Sequence, residues 1–275
     1  MVSNPQEIVI EAGRTERHYW RDLWAYRELL LFLAWRDILV RYKQTVIGIA
    51  WSVIRPVLTM VVFTVVFGRI ANLPSEGVPY PLLVFAAMLP WYFFATALSE
   101  GSNSLVQNAN IVSKVYFPRL IIPVSTIAVS LVDFLISLVL LAGLMVWYQA
   151  LPSARVLALP AFLLLVLVVT TGLTLWLAAL NVRYRDFRYV VPFLIQVGLF
   201  LSPVGFSSAV VPDAWRLVYA LNPMVGVIEG FRWCLIDGYR LDAGSLALGT
   251  GISVLILATG LDYFRRTERS FADVI

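Results

Sequence analysis

Few residues in this sequence have the types and spacing needed for catalysis or metal binding. His18 is the only histidine and Cys234 is the only cysteine, so a zinc site and a histidine-assisted nucleophile lack their residues. The carboxylates Glu100, Asp133 and Asp262 show no catalytic spacing. No segment matches the P-loop pattern G-x-x-x-x-G-K-S/T, which binds nucleotide phosphates. The sequence therefore predicts no catalytic site, no P-loop ATP site and no cofactor in this chain.

Two charged residues, Arg55 and Asp133, lie in the middle of long apolar segments. A lone charge at the centre of a membrane costs about 2.5–3.5 kcal/mol on the mildest scale. We therefore expect both side chains to face the interior of a helix bundle, where they could pair with each other. A packing salt bridge without a role in transport is an equally good interpretation of this pair.

Aromatic residues form a second group. Four of them are consecutive at positions 91–94 within an apolar segment, whereas Trp and Tyr normally mark membrane interfaces. Aromatic faces pack against the C–H surfaces of sugars while their polar atoms bond hydroxyl groups. A lining of this kind would let a polysaccharide slide without tight binding. The candidate conduit residues are Trp51, Phe63, Phe67, Trp91, Tyr92, Phe93, Phe94 and Trp176.

Two short polar loops form a third group. Residues 103–118 contain a potential amphipathic helix, and residues 182–189 place three arginines and three aromatic residues in eight positions. Such loops could dock a soluble partner, although simple anchoring at a membrane surface also explains the arginines. The candidate docking residues are Asn103, Asn108, Asn110, Lys114, Tyr116, Phe117, Arg183, Tyr184, Arg185, Asp186, Phe187 and Arg188.

The composition requires that these groups be held by membrane helices. Hydrophobic residues make up 60% of the 275 positions and charged residues 14%, against roughly 25% charged residues in soluble domains. The mean hydropathy is +0.82. The sequence therefore predicts an all-α integral membrane protein. Six segments are long and apolar enough to be spans: 46–67, 80–98, 120–148, 156–180, 190–206 and 244–264.

The polar segments complete the expected architecture. Residues 1–45 form a cytoplasmic N-terminal segment, and residues 46–275 form the six-span domain. Residues 22–42 are typical of a basic amphipathic helix on the membrane surface, and a frayed start to the first span is the alternative. The apolar stretches within 207–240 are too short to cross a membrane, so we expect re-entrant helices there, with an ordinary amphipathic outer loop as the alternative.

Basic residues set the expected orientation. Fifteen Lys and Arg residues lie in the N-terminal segment, in residues 99–119 and 181–189, and in the C-terminal tail. Five lie in the other connections. Because positive residues accumulate on the cytoplasmic side, we expect both ends of the chain in the cytoplasm. The net charge of +4 is thereby assigned to membrane lipids and orientation rather than to a nucleic-acid partner.

Four motifs resemble one known family. They are RDILVRYKQTVIGIAWSVIRP at 36–56, KVYFPRLIIP at 114–123, NVRYRDFRY at 181–189 and LNPMVGVIEGFRW at 221–233. Together with the six-span pattern, they resemble the permease subunits of type-2 ABC transporters that export O-antigen, capsule or teichoic-acid chains. The resemblance covers nearly the whole chain from about residue 20, and the combination of motifs is more specific than any one of them.

The resemblance implies partners and roles that the residues alone do not give. A homodimer would form the conduit in the bacterial inner membrane, the substrate would be a lipid-linked polysaccharide, and a separately encoded ATPase subunit would bind ATP and Mg²⁺. The two polar loops would then couple to that ATPase. The resemblance also implies an outer gate within 207–240, and its candidate residues are Pro212, Trp215, Asn222, Pro223, Glu229 and Arg232.

Three other functions remain open on the sequence. A transporter of the same fold could export a drug, haem or another small lipophile. A membrane-embedded glycosyl- or acyltransferase would need a catalytic carboxylate or histidine at the membrane surface and longer loops than these. An ion channel would need a charged selectivity ring, and Asp133 is the single acidic residue in the middle of a span.

Overall fold

Helix is the regular secondary structure of every part of the chain that is described. A computed structural model describes residues 19–43, 46–75, 77–150 and 152–271, and the side chains of 46–49, 51 and 52 lie outside that description. The predicted all-α class is confirmed. Within these ranges the α-helices are α1 (Tyr19–Ala25), α2 (Arg27–Lys43), α3 (Val46–Phe63, continued by the π-helix Thr64–Ile70), α4 (Tyr80–Gln107), α5 (Ala109–Lys114), α6 (Ile121–Trp147), α7 (Leu159–Arg183), α8 (Phe187–Leu201), α9 (Asp213–Tyr219), α10 (Pro223–Leu235) and α11 (Ala243–Thr267).

Five helical stretches of the described residues are long and apolar enough to cross a membrane. They coincide with five of the six predicted spans, because a run of roughly 20 apolar residues is needed to cross the hydrocarbon and few other segments provide one. The stretches are Val53–Ile70, Tyr80–Gln107, Ile121–Trp147, Ala154–Arg183 and Ala243–Ser270.

The predicted fifth span corresponds to the shorter helix α8. Its 15 residues cover roughly 22 Å, which is less than the hydrocarbon thickness of about 30 Å. The helix ends at Leu201, and the chain then turns through Ser202–Phe206, where Pro203 removes a backbone donor. The count of six spans therefore stays a prediction.

Helix α4 lies at the centre of the bundle. Residues 82–91 are all buried, and the helix packs against α3, α6, α7, α8 and α10. This part of its sequence is apolar on every side, which is the pattern of a helix that other helices enclose. Because α4 runs through the whole bundle, it contributes residues to the charged clusters at both of its ends.

Helices α7 and α11 approach each other through two glycines. A Cβ atom added to Gly172 would lie 2.6 Å from the backbone nitrogen of Leu257, and one added to Gly260 would overlap the carbonyl oxygen of Gly172. Small residues allow membrane helices to pack backbone against backbone, which replaces the hydrophobic driving force that lipid removes. Movement of α11 would therefore be transmitted directly to α7.

The predicted interfacial segment 22–42 forms two helices, α1 and α2, with a break at Tyr26. Helix α2 packs on α3 and α6. The side chains of Trp24 in α1 and of Phe32 and Trp35 in α2 are exposed. Lipid contact requires such exposure, and the placement of these helices at the membrane surface stays a prediction.

The segment 207–240 divides into an exposed and a buried half. Helix α9 has no buried residue, which is the exposure expected of an amphipathic outer loop. Helix α10 has 13 residues, is mostly buried, and packs against α4, α7 and α11. A helix this short cannot cross a membrane, and its enclosure by protein is what a re-entrant helix needs. Asn222 is the N-cap of α10, and its side chain accepts a hydrogen bond from the N–H of Met224 at 3.1 Å.

Candidate functional site

One arginine at the end of α2 joins that helix to two others. Arg41 donates through Nη1 to Oδ2 of Asp133 at 2.5 Å and through Nη2 to Glu100. The hydroxyl of Tyr42 donates to the other carboxylate oxygen of Asp133. Glu100 belongs to α4 and Asp133 to α6, so one guanidinium connects three helices. We call Arg41, Tyr42, Glu100 and Asp133 the Arg41 cluster.

The Arg41 cluster is partly open to its surroundings. The side chains of Arg41, Asp133 and Glu100 are 28%, 27% and 38% exposed in the single chain. Two carboxylates share one guanidinium here, so the cluster has an excess of acceptors. The chain encloses these side chains only partly, so other groups can reach them. The geometry therefore suits a contact that can open.

The structure does not show the pairing of Arg55 with Asp133 that the sequence left open. Asp133 is satisfied by Arg41 and Tyr42, whereas the guanidinium of Arg55 lies 5.6 Å from the ring centroid of Tyr92. The side chain of Arg55 is exposed on the surface of the single chain. The sequence argument compared only the charges inside the predicted spans. The residue that pairs with Asp133 is Arg41, which belongs to α2 and precedes the first span.

Three of the candidate conduit residues lie in the core of the chain. Trp91, Phe93 and Phe94 are between 2% and 6% exposed. Trp91 packs on α8, where a Cβ atom added to Gly198 would lie 2.9 Å from its ring. Phe93 and Phe134 make an edge-to-face contact with ring centroids 5.9 Å apart. These three side chains contribute to packing within one bundle, and a role of theirs in lining a conduit stays a prediction.

The other conduit candidates lie in two places. Phe63 and Phe67 contact each other edge to face at 5.3 Å and are partly exposed, as is Tyr92 on the neighbouring helix α4. Trp176 lies elsewhere, stacked on Tyr263 of α11 at 4.5 Å. The side chain of Trp51 lies outside the described residues. Within the described part of the chain the structure therefore does not gather the whole aromatic set.

The first docking loop is mostly helical. Helix α4 continues to Gln107, the chain turns at Asn108, and α5 follows. Asn108 accepts a hydrogen bond from Arg36 of α2 at 3.4 Å. Asn110, Lys114 and Tyr116 are exposed, whereas Phe117 is buried. The loop therefore presents polar residues on a base that is fixed to α2 and to the core.

The second docking loop is short and exposed. The side chains of Arg183, Tyr184, Arg185, Asp186 and Arg188 are all exposed, and that of Phe187 is partly buried. The guanidinium of Arg183 lies over the ring of Tyr184 at 5.5 Å. A surface with this density of unburied charge is available to an acidic or mixed-charge partner.

A buried asparagine joins the bases of the two loops. Asn181, at the end of α7, donates to Oδ1 of Asn103 at 2.9 Å and to the carbonyl of Ser102 at 3.0 Å. Asn181 is 3% exposed. Sequence reasoning did not select it, although it stands directly before the arginine-rich loop. The two predicted docking loops therefore lie at one end of the bundle and share a rigid base.

The opposite end of the bundle is organised by a second arginine, which is fully buried. Arg232 of α10 is 0% exposed. Its guanidinium donates to the carbonyl oxygens of Leu83, Phe206 and Val204 at 3.2, 2.9 and 3.3 Å, and to Glu229 at 3.3 Å. Two of these acceptors, the carbonyls of Val204 and Phe206, lie in the non-helical turn after α8, where helical N–H groups do not satisfy them, whereas Leu83 belongs to α4.

Other polar side chains complete this network. The hydroxyl of Tyr239 donates to the carboxylate of Glu229, with oxygen separations of 2.9 and 3.0 Å, and lies 3.3 Å from Ser207 Oγ. Tyr80 donates to the carbonyl of Gly205 at 2.6 Å. We call Arg232, Glu229, Tyr239 and Ser207 the Arg232 cluster.

The six outer-gate candidates separate in the structure. Glu229 and Arg232 belong to the buried cluster, and Asn222 donates to Ser202 Oγ at 2.9 Å. Pro223 begins α10. Pro212 and Trp215 are exposed at α9. The gate assignment itself stays a prediction, and Tyr239 and Ser207 are the members of the Arg232 cluster that sequence reasoning missed.

Comparison with known proteins agrees with this architecture. Residues 28–236 match the model of the ABC-2 type transporter family. The O-antigen export system permease protein RfbA of Myxococcus xanthus is 30% identical over 93% of this chain and 98% of its own length. A protein of the same name from Klebsiella pneumoniae is 25% identical over 90% and 95%. The polysialic acid transport protein KpsM of Escherichia coli is 24% identical over 87% and 93%.

The matched region includes both docking loops and both arginine clusters, apart from Tyr239, which lies just beyond it. The resemblance seen in the four sequence motifs is therefore confirmed, and with it a multi-pass membrane protein of the permease type. This chain belongs to the ABC-2 type transporter family.

Proposed function

We propose that this chain is the permease subunit of an ATP-driven exporter that moves a lipid-linked polysaccharide across the bacterial inner membrane. The observation that carries the proposal is the 30% identity to an O-antigen export permease over 93% of this chain and 98% of that protein. A second kind of relative is named for transport of polysialic acid, which is also a polysaccharide. Both names point to the same class of cargo.

A separate partner subunit would hydrolyse the ATP and bind its Mg²⁺, because this sequence contains no P-loop. The partner would dock in the cytoplasm on α5 and on the exposed arginines Arg185 and Arg188. The hydrogen bond between Asn181 and Asn103 joins both loops to α4 and α7, so a push on either loop would reach the centre of the bundle.

A second copy of the chain would complete the conduit. Residues 53–70 comprise most of α3 and its π-helical continuation, and 11% of them are buried within the chain. In the apolar stretch of α4, 78% of the residues are buried. A helix so little covered by its own chain must contact lipid or another subunit. Phe63, Phe67 and Tyr92 have exposed surface on this side and are the best candidates for a lining.

The two arginine clusters would serve the two ends of the pathway. The partly exposed Arg41 cluster holds α2 against α4 and α6, beside the first span, where a lipid carrier could enter sideways. The buried Arg232 cluster holds the turn after α8 and would keep the outer end closed.

Co-purification tests the ATPase partner. The tagged chain is extracted from its native membranes in detergent, and the proteins that accompany it are identified and assayed for MgATP hydrolysis. The test variant combines Arg185→Ala with Asp186→Ala. The control combines Arg216→Ala with Asp213→Ala, which removes an exposed Arg and an exposed Asp from α9 at the other end of the bundle.

We expect wild type and control to retain a P-loop ATPase and the test variant to lose it. A wild-type protein that carries no ATPase from intact membranes would overturn the permease proposal. Equal recovery of the ATPase by all three proteins would move the docking surface away from the second loop.

Export of a small lipophile is the second candidate, because the burial of Trp91, Phe93 and Phe94 removes part of the argument for a sugar lining. Deletion of the gene in the native cells separates the two. Polysaccharide that accumulates on its lipid carrier inside the cell supports the proposal, and unchanged surface polysaccharide contradicts it.

A further inference from the structure

The turn that follows α11 makes a polar contact that neither the docking loops nor the arginine clusters include. The side chain of Glu268 accepts a hydrogen bond from the backbone N–H of Arg119 at 2.6 Å and another from the hydroxyl of Tyr19 at 2.9 Å. In return, the guanidinium of Arg119 donates to the backbone carbonyl of Glu268. One carboxylate therefore joins α1, the segment between α5 and α6, and the end of α11.

An apolar cluster surrounds this contact. Phe264 and Phe271 are fully buried on either side of Glu268 and contact each other edge to face at 5.4 Å. They share a hydrophobic cluster with Val112 of α5 and with Phe117, which follows α5. The end of α11 is therefore fixed to the base of the first docking loop by packing as well as by hydrogen bonds.

The hydroxyl of Tyr19 is held in its protonated, donating form. Burial raises its pKa above the ordinary value, and the neighbouring charge of Glu268 raises the pKa further. The guanidinium of Arg265 lies 4.9 Å from the centroid of the Tyr19 ring and opposes that rise. Tyr19 is thus a donor to Glu268 at any ordinary pH.

We infer that Glu268 is a positioning residue of the ATPase-coupling apparatus, which locks α5 to α11 so that force on α5 reaches the transmembrane bundle. This inference rests on the proposed function. Force on α5 would pass through Arg119 and Glu268 into α11, and then into α7 through the close contact of Gly172 and Gly260. Loss of the carboxylate should separate ATP hydrolysis from export.

The test compares Glu268→Gln with Asp262→Asn in the complex from native cells. Glutamine keeps one oxygen for the N–H of Arg119 but offers no second oxygen to Tyr19. Asp262 lies near the same end of α11, where it is exposed and pairs with Arg266, four residues later. The Asp262→Asn variant is therefore a matched control that also loses one carboxylate. Surface polysaccharide in cells and MgATP hydrolysis by the purified complex are measured together.

We expect export per complex to fall about tenfold in the Glu268→Gln variant while hydrolysis stays within about twofold, because the charged acceptor that joins Tyr19 and Arg119 to α11 is lost. Tyr19→Phe removes one donor and should lower export by a smaller factor. A purely structural role would lower export, hydrolysis and yield together and leave their ratio unchanged.

A distance measurement between α5 and α11 tests directly whether Glu268 holds these two helices together. Spin labels at Ser113→Cys on α5 and Ala258→Cys on α11 occupy exposed positions, and the native Cys234 is buried. With MgATP and vanadate, the distance between the labels should stay fixed in the wild-type background and change in the Glu268→Gln background.

The results separate the possible failures. Equal export-to-hydrolysis ratios in the Glu268→Gln and Asp262→Asn variants would overturn the inference while leaving the proposed function intact. If Glu268→Gln does not fold, an unchanged ratio and an unchanged label distance in Tyr19→Phe overturn it instead. A wild-type complex without MgATP hydrolysis would reject the proposed function, and this inference with it.

Discussion

Two arginines hold the ends of this bundle together, and they differ in burial and in partners. Arg232 is completely buried and donates to three backbone carbonyls and one carboxylate. Arg41 keeps 28% of its side-chain surface and donates to two carboxylates on different helices. The two clusters meet α4 at Leu83 and Glu100, which are 17 residues and roughly 25 Å apart along the helix.

The partners determine what each arginine can do. If Arg232 leaves, the carbonyls of Val204 and Phe206 in the non-helical turn after α8 lose their donor, and the buried Glu229 loses its cation. The carboxylates of the Arg41 cluster are only partly enclosed, so another cation or polar group can reach them in place of the guanidinium. We therefore expect the Arg232 cluster to be a fixed part of the fold and the Arg41 cluster to be the contact that can open.

The largest expected effect is the removal of the buried arginine. Arg232→Met should lower the free energy of unfolding by about 3–5 kcal/mol, because Glu229 stays buried without its charge partner and the carbonyls of Val204 and Phe206 lose their donor. Chemical unfolding in detergent measures this change. Arg232→Lys should recover part of the loss, since one ammonium cannot reach four acceptors in a fork.

The matched control for that experiment is Arg216→Met. Arg216 also pairs with a carboxylate three residues before it, but its side chain is 55% exposed. Its loss should change the free energy of unfolding by less than about 1 kcal/mol. Similar losses in the two variants would mean that burial does not distinguish these arginines.

Much of the fold could be predicted from the sequence, because apolar length is a local property. Five predicted spans coincide with helical stretches long enough to cross a membrane. The break after α8 was not predicted, and the span 190–206 was drawn through it. Pro203 and Gly205 interrupt the helix there, and donors distant in sequence, Tyr80, Asn222 and Arg232, stabilise the non-helical turn.

Less of the candidate site could be predicted, because it depends on which helices become neighbours. Arg55 was matched to Asp133 by depth alone, and the structure gives Asp133 to Arg41 instead. The sequence places all four consecutive aromatics at 91–94 among the candidate conduit residues. On a helix, however, consecutive residues point in different directions, so Tyr92 has exposed surface while Trp91 and Phe93 are buried.

A double-mutant cycle sharpens the comparison at the opening cluster. Arg41→Gln and Asp133→Asn should each destabilise the protein modestly, and their interaction energy should be about 1 kcal/mol, since both side chains are partly exposed. The free energies of unfolding of both single variants and of the double variant give this term. Export should fall by a larger factor than stability alone explains, because the contact between α2 and α6 would be lost.

The control cycle pairs Arg55→Gln with Asp133→Asn. Because these side chains do not contact each other, their effects should add within about 0.3–0.5 kcal/mol. A large interaction energy between Arg55 and Asp133, with none between Arg41 and Asp133, would mean that Asp133 pairs with Arg55 and not with Arg41.

The smallest expected effect comes from an exposed carboxylate, Asp242, which extends the comparison to a fully open contact. Asp242 caps α11 by accepting from the N–H groups of Gly244 and Ser245 at 3.1 and 3.3 Å, and from the hydroxyl of Ser245. The hydrogen bond from that hydroxyl is the main reason that the pKa of Asp242 lies below its ordinary value of 3.8. Asp242→Ala should cost about 0.5–1 kcal/mol at neutral pH.

The pH dependence of that effect identifies the capping carboxylate. A carboxylate whose pKa is lower in the folded than in the unfolded protein stabilises the fold above the unfolded value and loses this contribution as the pH falls through the folded one. The stability difference between wild type and Asp242→Ala should therefore be constant near neutrality and shrink below about pH 4. Asp242→Asn should keep the cap without titrating in this range. A difference that stays constant from neutral pH to pH 2 would show that the charge of Asp242 contributes nothing to the cap.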